Sequence, residues 1–569
     1  MLNKISIVIN RMFPDLGIHL RRAGYNIHVD TYVFYMSAAF IVSLIASIPV
    51  SIIGMYLLRN MFMIVIPIAM PMLTLSLMYI IPIISESGKA SAIDSELPYM
   101  VSYLSTIMMS GISPYMAFER LGERGHILTK TAGIIKKFIT FTRALGKDPI
   151  SALSEVAERV PSVRFQETLS GCIAAIESGG DVIDYLNRKA RVFFNDMIIG
   201  LKIIADRLGG LLESYLALVL LTLISFTVLY LATVAFAEVV PFGLSPFSMF
   251  LFLYIILPLL SGVVIYLADI IQYKEPLMDW KPIIVYMGTT IPITIFLSLF
   301  GILFYNIPNP YHPLRANMFT QLIGETLSLF GLSSRLPYTR TSVVLSMSLL
   351  LATIPSVIYY EKASKEQKVI KGITRFLRDL VEVRKTGLTP EKSIIELSKR
   401  DYGIFSKYLK KISMLLTLGT PLRIIIESTV KNVKSWKGRV LLFVLLDSIE
   451  VGGGTPEVLE NLAWFAESVE TVEEEKRKSL RTLMIVPYMG ALIATVTIIY
   501  MVGFMRSLPI KVGAFNQAAE LVLPSIVINN YVMGIVAGKV SSGTICAGFK
   551  HALALTLFTT ITLISLNML

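Results

Sequence analysis

Long apolar runs alternate with two long polar stretches along this chain. The apolar runs are about 20 residues long, which is the length that an α-helix needs to cross the hydrocarbon core of a bilayer. Their central parts lack charged side chains, as expected for segments that face lipid. The pattern predicts nine spans: Tyr32–Leu57, Phe62–Ile84, Leu212–Phe236, Phe247–Ile271, Ile283–Phe304, Ser342–Tyr360, Thr482–Phe504, Leu521–Ala537 and His551–Leu569.

The two polar stretches, residues 85–210 and 361–481, follow a different pattern. Apolar positions recur there at helical spacing, and no strand-like alternation is present. We therefore expect antiparallel bundles of about six helices each. Asp94 or Ser95 is predicted to cap the first helix of the first bundle. Ser113 and Pro114 should start its second helix, because a serine cap followed by proline favours a helix start.

Two short signatures occur in each polar stretch. The first combines glycine, a hydroxyl residue and proline, and the second combines glutamate with two glycines. A glycine in a left-handed cap ends a helix, the hydroxyl accepts free amide hydrogens, and proline presets the next turn. Each signature therefore predicts a helix stop and restart. The turn residues are Gly111, Pro114, Glu177, Gly179, Gly180, Gly387, Pro390, Glu450, Gly452 and Gly453.

These signatures recur at nearly constant distances. Gly387 follows Gly111 by 276 positions, and Glu450 follows Glu177 by 273. The same offsets map the spans beside the first polar stretch onto those beside the second. The unit is thus two spans, a helical module and two spans, used twice in parallel. The ninth span is an addition.

The predicted fold class is all-α: a polytopic membrane protein with about nine transmembrane helices and two homologous cytoplasmic antiparallel helix bundles. The predicted segments are a basic N-terminal segment 1–31, a transmembrane hairpin 32–84, the first helical domain 85–210, spans three and four in 211–271, spans five and six in 272–360 with an external loop 305–341, the second helical domain 361–481, and the last three spans in 482–569.

Composition supports a membrane protein. The chain has 569 residues, 54% of them hydrophobic and 16% charged, with a mean hydropathy of +0.67, whereas soluble domains carry roughly 25% charged residues. The net charge of +12 raises the possibility of nucleic-acid binding, but basic loops in a membrane protein usually reflect orientation, and we expect no nucleic-acid partner. Two cysteines are too few for a disulfide framework, and residues 1–30 do not read as a signal peptide.

Lysine and arginine placement predicts the topology. With a cytoplasmic N-terminus, both polar stretches are cytoplasmic, because four spans separate them, and the C-terminus is outside. Six of the 52 basic residues then fall on the external side. They are Arg59, Arg315, Arg335, Arg340, Arg506 and Lys511.

Charge is segregated within the second polar stretch. From Lys362 to Arg439 there are 19 basic and 7 acidic residues, and from Val440 to Glu475 there are 9 acids and no basic residue. A solvated surface shaped by positive-inside bias explains part of this pattern. We also expect the basic part to dock an acidic partner. The candidate docking residues are Arg375, Arg378, Arg384, Lys385, Lys399, Arg400, Lys410 and Lys411.

The sequence shows no catalytic constellation. A phosphate-binding Gly-x-x-x-x-Gly-Lys-[Ser/Thr] loop is absent, and Leu145-Gly-Lys-Asp148 is its nearest fragment. We therefore expect no enzyme activity, no cofactor and no metal site. The main alternative is a transporter or channel built from a parallel repeat. Against it, Asn529-Asn530 is the only polar pair deep in a span, and we expect it to bridge helices.

The signatures resemble a known family. Gly-x-[Ser/Thr]-Pro, then Glu-x-Gly-Gly and a Leu-x-x-x-Ala step (Leu186 to Ala190, Leu459 to Ala463) are similar to the F domain of type II secretion systems. Nine spans with two separated domains resemble the archaeal branch, which serves archaellum and archaeal pilus assembly. The resemblance implies a scaffold in the cell membrane that couples a hexameric cytoplasmic secretion ATPase to pilin-like or archaellin subunits in the bilayer.

Two points stay open from the sequence. The filament could be an archaellum or an adhesive or other pilus, because the platform need not encode its subunit. The chain could form a homodimer, or the internal duplication could supply a two-fold arrangement within one monomer. The charge pairs around Glu473 and Lys476 further predict either a stiff helix running into the seventh span or an ordinary charge clamp beside the membrane.

Overall fold

The structure, a computed structural model, describes residues 2–25, 27–58, 66–124, 127–235, 245–273, 280–306, 312, 317–327, 339–506 and 512–568. Helices form nearly all of these residues, and no strand occurs among them. The all-α prediction is confirmed. The predicted external residues Arg59, Arg315, Arg335 and Lys511 lie outside the described residues, as does most of the predicted loop 305–341.

The first half contains eleven helices. In chain order they are α1 Leu2–Met12, α2 Leu16–Arg22, α3 Val29–Leu58, α4 Ile66–Met109, α5 Pro114–Arg124, α6 Thr129–Ile139, α7 Pro149–Glu158, α8 Val163–Glu177, α9 Val182–Ala235, α10 Pro246–Leu251 and α11 Leu257–Ile271. A π-helical turn, Phe252–Ile256, joins the last two into one membrane helix.

The helices of the second half are α12 Lys281–Asn306, α13 Met318–Leu327, α14 Arg340–Gln367, α15 Val369–Lys385, α16 Pro390–Leu397, α17 Phe405–Thr417, α18 Leu422–Thr429, α19 Trp436–Glu450, α20 Pro456–Thr482, α21 Ile485–Arg506, α22 Val512–Ser542 and α23 Gly548–Met568. In this half, α14 and α15 together correspond to α4, α20 and α21 to α9, and α22 to α10–α11, whereas α13 and α23 have no counterpart among the described residues of the first half.

Nine helical stretches among the described residues are long and apolar enough to cross a membrane, which confirms the predicted number. The last of them, Ile545–Ser565, corresponds to the predicted ninth span. Helix α13 lies within the predicted external loop 305–341. Between the two modules, the spans run through α9, α10–α11, α12 and α14.

The first helical module consists of six helices, from the second half of α4 to the first half of α9. The predicted cap at Asp94 or Ser95 is wrong, because α4 is continuous from the membrane into the module. Asp94 instead accepts a hydrogen bond from Ser162, and Ser95 Oγ donates within the helix to Ala92 O at 2.8 Å. Helix α4 runs on through Pro82, Gly88 and Pro98, although proline and glycine usually weaken a helix interior, so its continuity is not explained by local sequence.

Three hydrophobic clusters organise the molecule. The first is shared by both helical modules, so the modules lie on the same side of the membrane. The second joins the membrane helices from α9 onwards. The third is small and contains only residues of α1 to α4. The first transmembrane hairpin is therefore packed separately from the main membrane bundle.

The central membrane helix is α22. Asn529 Nδ2 donates to Leu253 O of the π-helical turn at 3.3 Å, and Asn530 Nδ2 donates to Thr495 Oγ1 at 2.6 Å and Thr559 Oγ1 at 2.7 Å. The Asn529-Asn530 pair thus bridges helices, as predicted. Neighbouring α23 packs closely on α22. This approach requires glycine at positions 534 and 538 of α22, because a Cβ on Gly534 or Gly538 would overlap the α23 backbone.

The two halves differ where modules meet spans. In the first half, α9 runs without interruption for 54 residues. In the second half, α20 ends at Thr482 and α21 begins at Ile485. The predicted stiff helix is thus continuous as far as Thr482, where the predicted seventh span begins, and a two-residue turn separates it from α21. Glu473 pairs with Lys437 of α19, so that acid holds two module helices together rather than stiffening its own helix.

Candidate coupling site between the helical modules

The Glu-x-Gly-Gly signatures form two equivalent helix ends. Gly179 and Gly452 adopt φ of +68° and +98°, a region that favours glycine. In the first, Gly180 N donates to Ala175 O at 2.8 Å, and in the second Gly453 N donates to Ser448 O at 2.8 Å. This is the six-to-one bond of a Schellman cap. Glu177 and Glu450 are the last residues of α8 and α19.

The Gly-x-[Ser/Thr]-Pro signatures are also equivalent. Gly111 and Gly387 both have φ of +90°. Pro114 and Pro390 are the first residues of the helices that follow. Thr389 Oγ1 accepts from the Lys392 amide at 3.4 Å, in the position that Ser113 takes in the first module. Local sequence therefore builds the same turns twice.

The environments of these turns are not equivalent. A Cβ at Gly453 would overlap the Ser110 hydroxyl of the first module, and a Cβ at Gly454 would overlap the ring of Pro390. Three of the four signature turns thus meet at one point. The fourth, at Gly179, is exposed and has open space around its Cα.

A buried ion pair crosses the same junction. Arg120 of α5 donates from Nε and Nη2 to the two oxygens of Asp447 in α19, at 2.9 and 2.8 Å. Tyr103 OH donates to Asp447 Oδ2 at 2.8 Å. Glu450, the signature acid, lies 3.7 Å from the Arg120 guanidinium. Asp447 is 0% exposed, and a bidentate pair plus a third hydrogen bond offsets its desolvation.

An aromatic cluster continues the interface towards the membrane. Tyr99 of α4 contacts Trp436 with ring centroids 4.8 Å apart, and Phe194 of α9 contacts Phe465 of α20 at 5.8 Å. Trp436 Nε1 donates to Ile127 O of the first module at 2.9 Å. Arg191 stacks over Trp464 at 4.7 Å. These rings bury large apolar area and fix the relative angle of the modules.

The interface is not two-fold. Helix α19 packs on α4 and is buried along nearly its whole length. In the repeat, α8 corresponds to α19 and α15 corresponds to α4, but α8 does not pack along α15. The second module therefore presents its α19 face to the α4 face of the first, head to tail. Such a heterologous contact leaves one face of each kind uncovered: the α8 face and the α15 face.

The arrangement can transmit force. Helices α4 and α9 enter the interface and continue unbroken into the membrane. The turns at Gly111 and Gly453 touch each other where the two modules meet. A displacement of one module would therefore move the spans attached to the other, because packed interfaces shift as bodies rather than deform continuously.

The first module holds one buried thiol, Cys172 of α8. Burial raises the pKa of the Cys172 thiol to about 12, so it stays protonated at neutral pH and behaves as an apolar side chain. Among the described residues, no cluster of histidine, cysteine or acidic side chains is placed to hold a metal ion.

The eight predicted docking cations lie on the second module, and all but the half-buried Arg384 are exposed. Six have partners within the chain: Arg378 with Glu467, Arg384 with Gly454 O, Lys385 with Glu460, Lys399 with Glu396, Arg400 with Asp379, and Lys411 with Ser428 O. Arg375 and Lys410 have no hydrogen bond or ion pair to another described residue. All eight cations therefore lie on one module, but six of them already contact other residues of the chain and are less available to bind a partner.

Sequence reasoning missed the residues that join the modules. Arg120, Asp447 and Trp436 carry no motif, and the glycine signatures alone do not reveal which turns touch. One signal was available. Asp447 is the single acid within the apolar run Val440–Ile449, and a lone charge inside a helix that is otherwise apolar indicates a buried partner.

Comparison with known proteins agrees with the internal repeat. A family model described as type II secretion system protein F matches residues 100–230 and 376–503. The two matches begin 276 positions apart and end 273 apart, the offsets found between the glycine signatures. Both matches combine a helical module with the span that follows it.

One curated relative is similar to this chain along most of its length. An uncharacterized protein of Methanocaldococcus jannaschii is 20% identical over 503 residues, which cover 83% of this chain and 79% of the relative. Its description records no function. No solved structure matches the chain at a comparable level of significance.

Proposed function

Because this chain belongs to the type II secretion system F-domain family, we propose that it is the integral membrane platform protein of an archaeal type IV filament machine, either a pilus or an archaellum. It is not an enzyme in this proposal. It couples a cytoplasmic secretion ATPase to the extraction and assembly of pilin-like subunits. The observation that carries the proposal is the shared core of two F-domain modules, from which helices run unbroken into the bilayer.

The proposed orientation places both modules in the cytoplasm, where the ATPase works. It is supported by the distribution of basic residues, six of 52 being external, and by the shared core, which requires both modules on one side. The C-terminus is then external, because nine spans separate it from a cytoplasmic N-terminus. A cysteine placed at Lys4 should react with an impermeant maleimide only after the cells are opened.

The proposed ATPase dock is the exposed basic face of the second module. This face includes α15, the helix whose equivalent in the first module, α4, is covered by α19. Lys371, Arg375 and Arg378 are exposed on α15. Such a face attracts an acidic partner and speeds its encounter. Arg375 and Lys410 are the strongest candidates, because neither forms a hydrogen bond or ion pair with another described residue, although the charge of Lys410 does act on Asp401.

A charge-reversal experiment tests this dock. Arg375→Glu with Lys410→Glu should weaken co-purification of the ATPase with the full chain by about tenfold at moderate salt, since one decade corresponds to about 1.4 kcal/mol. The matched control is Lys136→Glu with Lys137→Glu, two exposed cations of the first module. Equal binding by both variants and the wild type contradicts the dock.

The transporter alternative lacks a supporting observation. The deepest polar pair, Asn529-Asn530, uses its amide groups to bridge α22 with its neighbours, and the buried Lys539 forms an ion pair with Asp269 at 2.6 Å that joins α22 to α11. Both sites are occupied by helix contacts. Deletion of the chain in its own organism should abolish surface filaments, and complementation should restore them. Filaments that persist without it overturn the platform proposal.

A further inference from the structure

Helices α1 and α2 precede the first transmembrane hairpin and fold back against α3 and α4. Ile9 of α1 and Leu16 of α2 are buried in the small cluster that these four helices share. Phe13, between the two helices, stacks on Tyr79 of α4 with ring centroids 4.3 Å apart. Residues 2–25 therefore form one packed unit, which we call the N-terminal elbow.

Polar contacts fix the elbow to α4 where this helix leaves the membrane. His19 Nδ1 lies 2.6 Å from Glu86 Oε2, and Arg22 Nη1 lies 3.6 Å from Glu86 Oε1. Lys89 Nζ donates to Ala23 O at the end of α2. The two α4 residues lie two and five positions beyond the predicted end of the second span. The elbow thus holds α4 at the boundary between the bilayer and the first helical module.

The elbow is placed at the depth of the lipid headgroups. Helix α1 has 11 residues and is therefore about 16 Å long. This is roughly half the thickness of the hydrocarbon core, so α1 cannot cross the membrane. Tyr79, on which Phe13 stacks, precedes the end of the predicted second span at Ile84 by five positions, which is about 8 Å along a helix. Amphipathic helices that lie in the membrane plane bury their apolar side about 5–10 Å deep, and the elbow lies within this range.

The side of α1 that faces away from the hairpin is also apolar. Val8 and Met12, one helical turn apart, are 56% and 63% exposed. The exposed Arg11 lies beside them around the helix, because successive residues of an α-helix advance by about 100°. A helix with its outer side in water would carry polar side chains there. The apolar outer side of α1 therefore requires contact with lipid or with another apolar surface.

Basic residues dominate the charge of the elbow. Residues 1–25 contain four basic residues, Lys4, Arg11, Arg21 and Arg22, and one acidic residue, Asp15. Arg11 and Arg21 are exposed and form no ion pair with another described residue. Positive-inside bias accounts for basic residues near a span, but it does not account for an apolar side next to them. The combination is typical of helices that bind anionic membrane surfaces.

We propose that the N-terminal elbow binds anionic lipid, with Val8 and Met12 among the acyl chains and Arg11 and Arg21 against the headgroup phosphates. A lipid surface is inferred as the occupant because the elbow packs on the membrane part of the hairpin and α1 contains no acidic residue. The inference does not depend on the proposed function. The first hairpin contributes no residue to the main membrane cluster, so anionic lipid bound at the elbow would hold α4 where it enters the first module.

Fluorescence of the full chain reconstituted in vesicles tests this surface. Val8→Cys carries an environment-sensitive dye, and Leu145→Cys, at an exposed apolar residue of the first module, is the matched control. The two native cysteines are buried and should not react. In vesicles that contain phosphatidylglycerol, a nitroxide lipid should quench the dye at position 8 at least threefold more than the dye at position 145. Equal quenching overturns the lipid surface. Crosslinked dimers as the main product of unlabelled Val8→Cys also overturn it, in favour of a second copy of the chain.

Charge variants test the preference for anionic lipid. We expect the dye on Val8→Cys to be quenched at least threefold more in phosphatidylcholine vesicles with phosphatidylglycerol than in vesicles without it. Arg11→Glu with Arg21→Glu should remove this difference, whereas Arg11→Lys with Arg21→Lys should keep it. Lys136→Glu with Lys137→Glu, an equal change of charge on the first module, is the control, and a single peak in size-exclusion chromatography shows that each variant is folded. Equal quenching in the two lipid compositions, or an unchanged difference in the charge-reversed variant, overturns the proposal. Neither result bears on the platform function, which filament assembly tests.

Discussion

At the scale of single residues, identical sequence signatures have unequal roles. Gly180 and Gly453 occupy the same position in the two Schellman caps. Only Gly453 faces the other module, where a Cβ would overlap the Ser110 hydroxyl. A Cβ at Gly180 would meet its nearest neighbour, Ser178 Oγ, at 3.4 Å. Glycine at position 180 thus serves only its own turn, whereas glycine at position 453 is required by the contact between the modules.

This difference gives a matched pair of variants. Gly453→Ala should destabilise the full chain by about 1–3 kcal/mol, the usual range for overpacking a tight contact, because Ser110 has to move. Gly180→Ala should change stability by less than about 1 kcal/mol. Thermal unfolding of the purified protein in detergent measures both. Equal effects at the two positions would show that Gly453 is not a contact residue.

The Arg120–Asp447 pair makes a second prediction at this scale. Arg120→Met removes the bidentate partner of the buried Asp447 carboxylate, and removing one partner of a buried pair costs about 3–5 kcal/mol. Arg120→Met with Asp447→Leu removes both charges and should recover most of that loss. The same unfolding measurement decides between them. A double variant as unstable as the single one contradicts a paired role for these residues.

At the scale of helices, the sequence predicted what local patterns determine. The start of α5 follows from the Ser113 cap and the proline after it, and the structure has it at Pro114. The start of α4 was wrong, since Asp94 is a good cap residue only where a helix begins. The burial of α19 was not recognised, although its apolar run Val440–Leu446 leaves no polar face and is typical of a buried helix. Its equivalent α8 has no such run.

The unbroken helix α9 makes a prediction at the helix scale. Replacing Asp206 and Arg207 with glycine weakens the helix by about 0.5–1 kcal/mol per position, at the point where it enters the membrane core cluster. If α9 transmits movement, filament assembly should fall at least tenfold while membrane insertion is unchanged. The control is Met484→Gly, at the natural interruption between α20 and α21. Equal assembly in both variants contradicts the coupling role of α9.

At the scale of the whole molecule, a head-to-tail pair of modules could in principle continue from one chain to the next. The equivalents of the contact residues oppose this. Arg120 corresponds to Glu396 by the offset of 276, and Glu450 corresponds to Glu177 by the offset of 273. Within one chain, the contact brings Arg120 close to Glu450. The same contact between two chains would bring Glu396 close to Glu177. Like charges at that point disfavour open-ended assembly.

Placing the ion pair of the contact between the modules on the two uncovered faces should therefore create oligomers. Glu396→Arg with Ala174→Asp reproduces Arg120 and Asp447 at their equivalent positions, one on each uncovered face. We expect species of twice the wild-type mass or larger by light scattering of the purified protein in detergent, and Ala174→Asp alone serves as the control. The reason is that a buried bidentate pair gives both affinity and register. If the double variant has the wild-type mass, the shape of the uncovered faces rather than their charge prevents a contact between chains. The head-to-tail contact is then confined to the two modules of one chain.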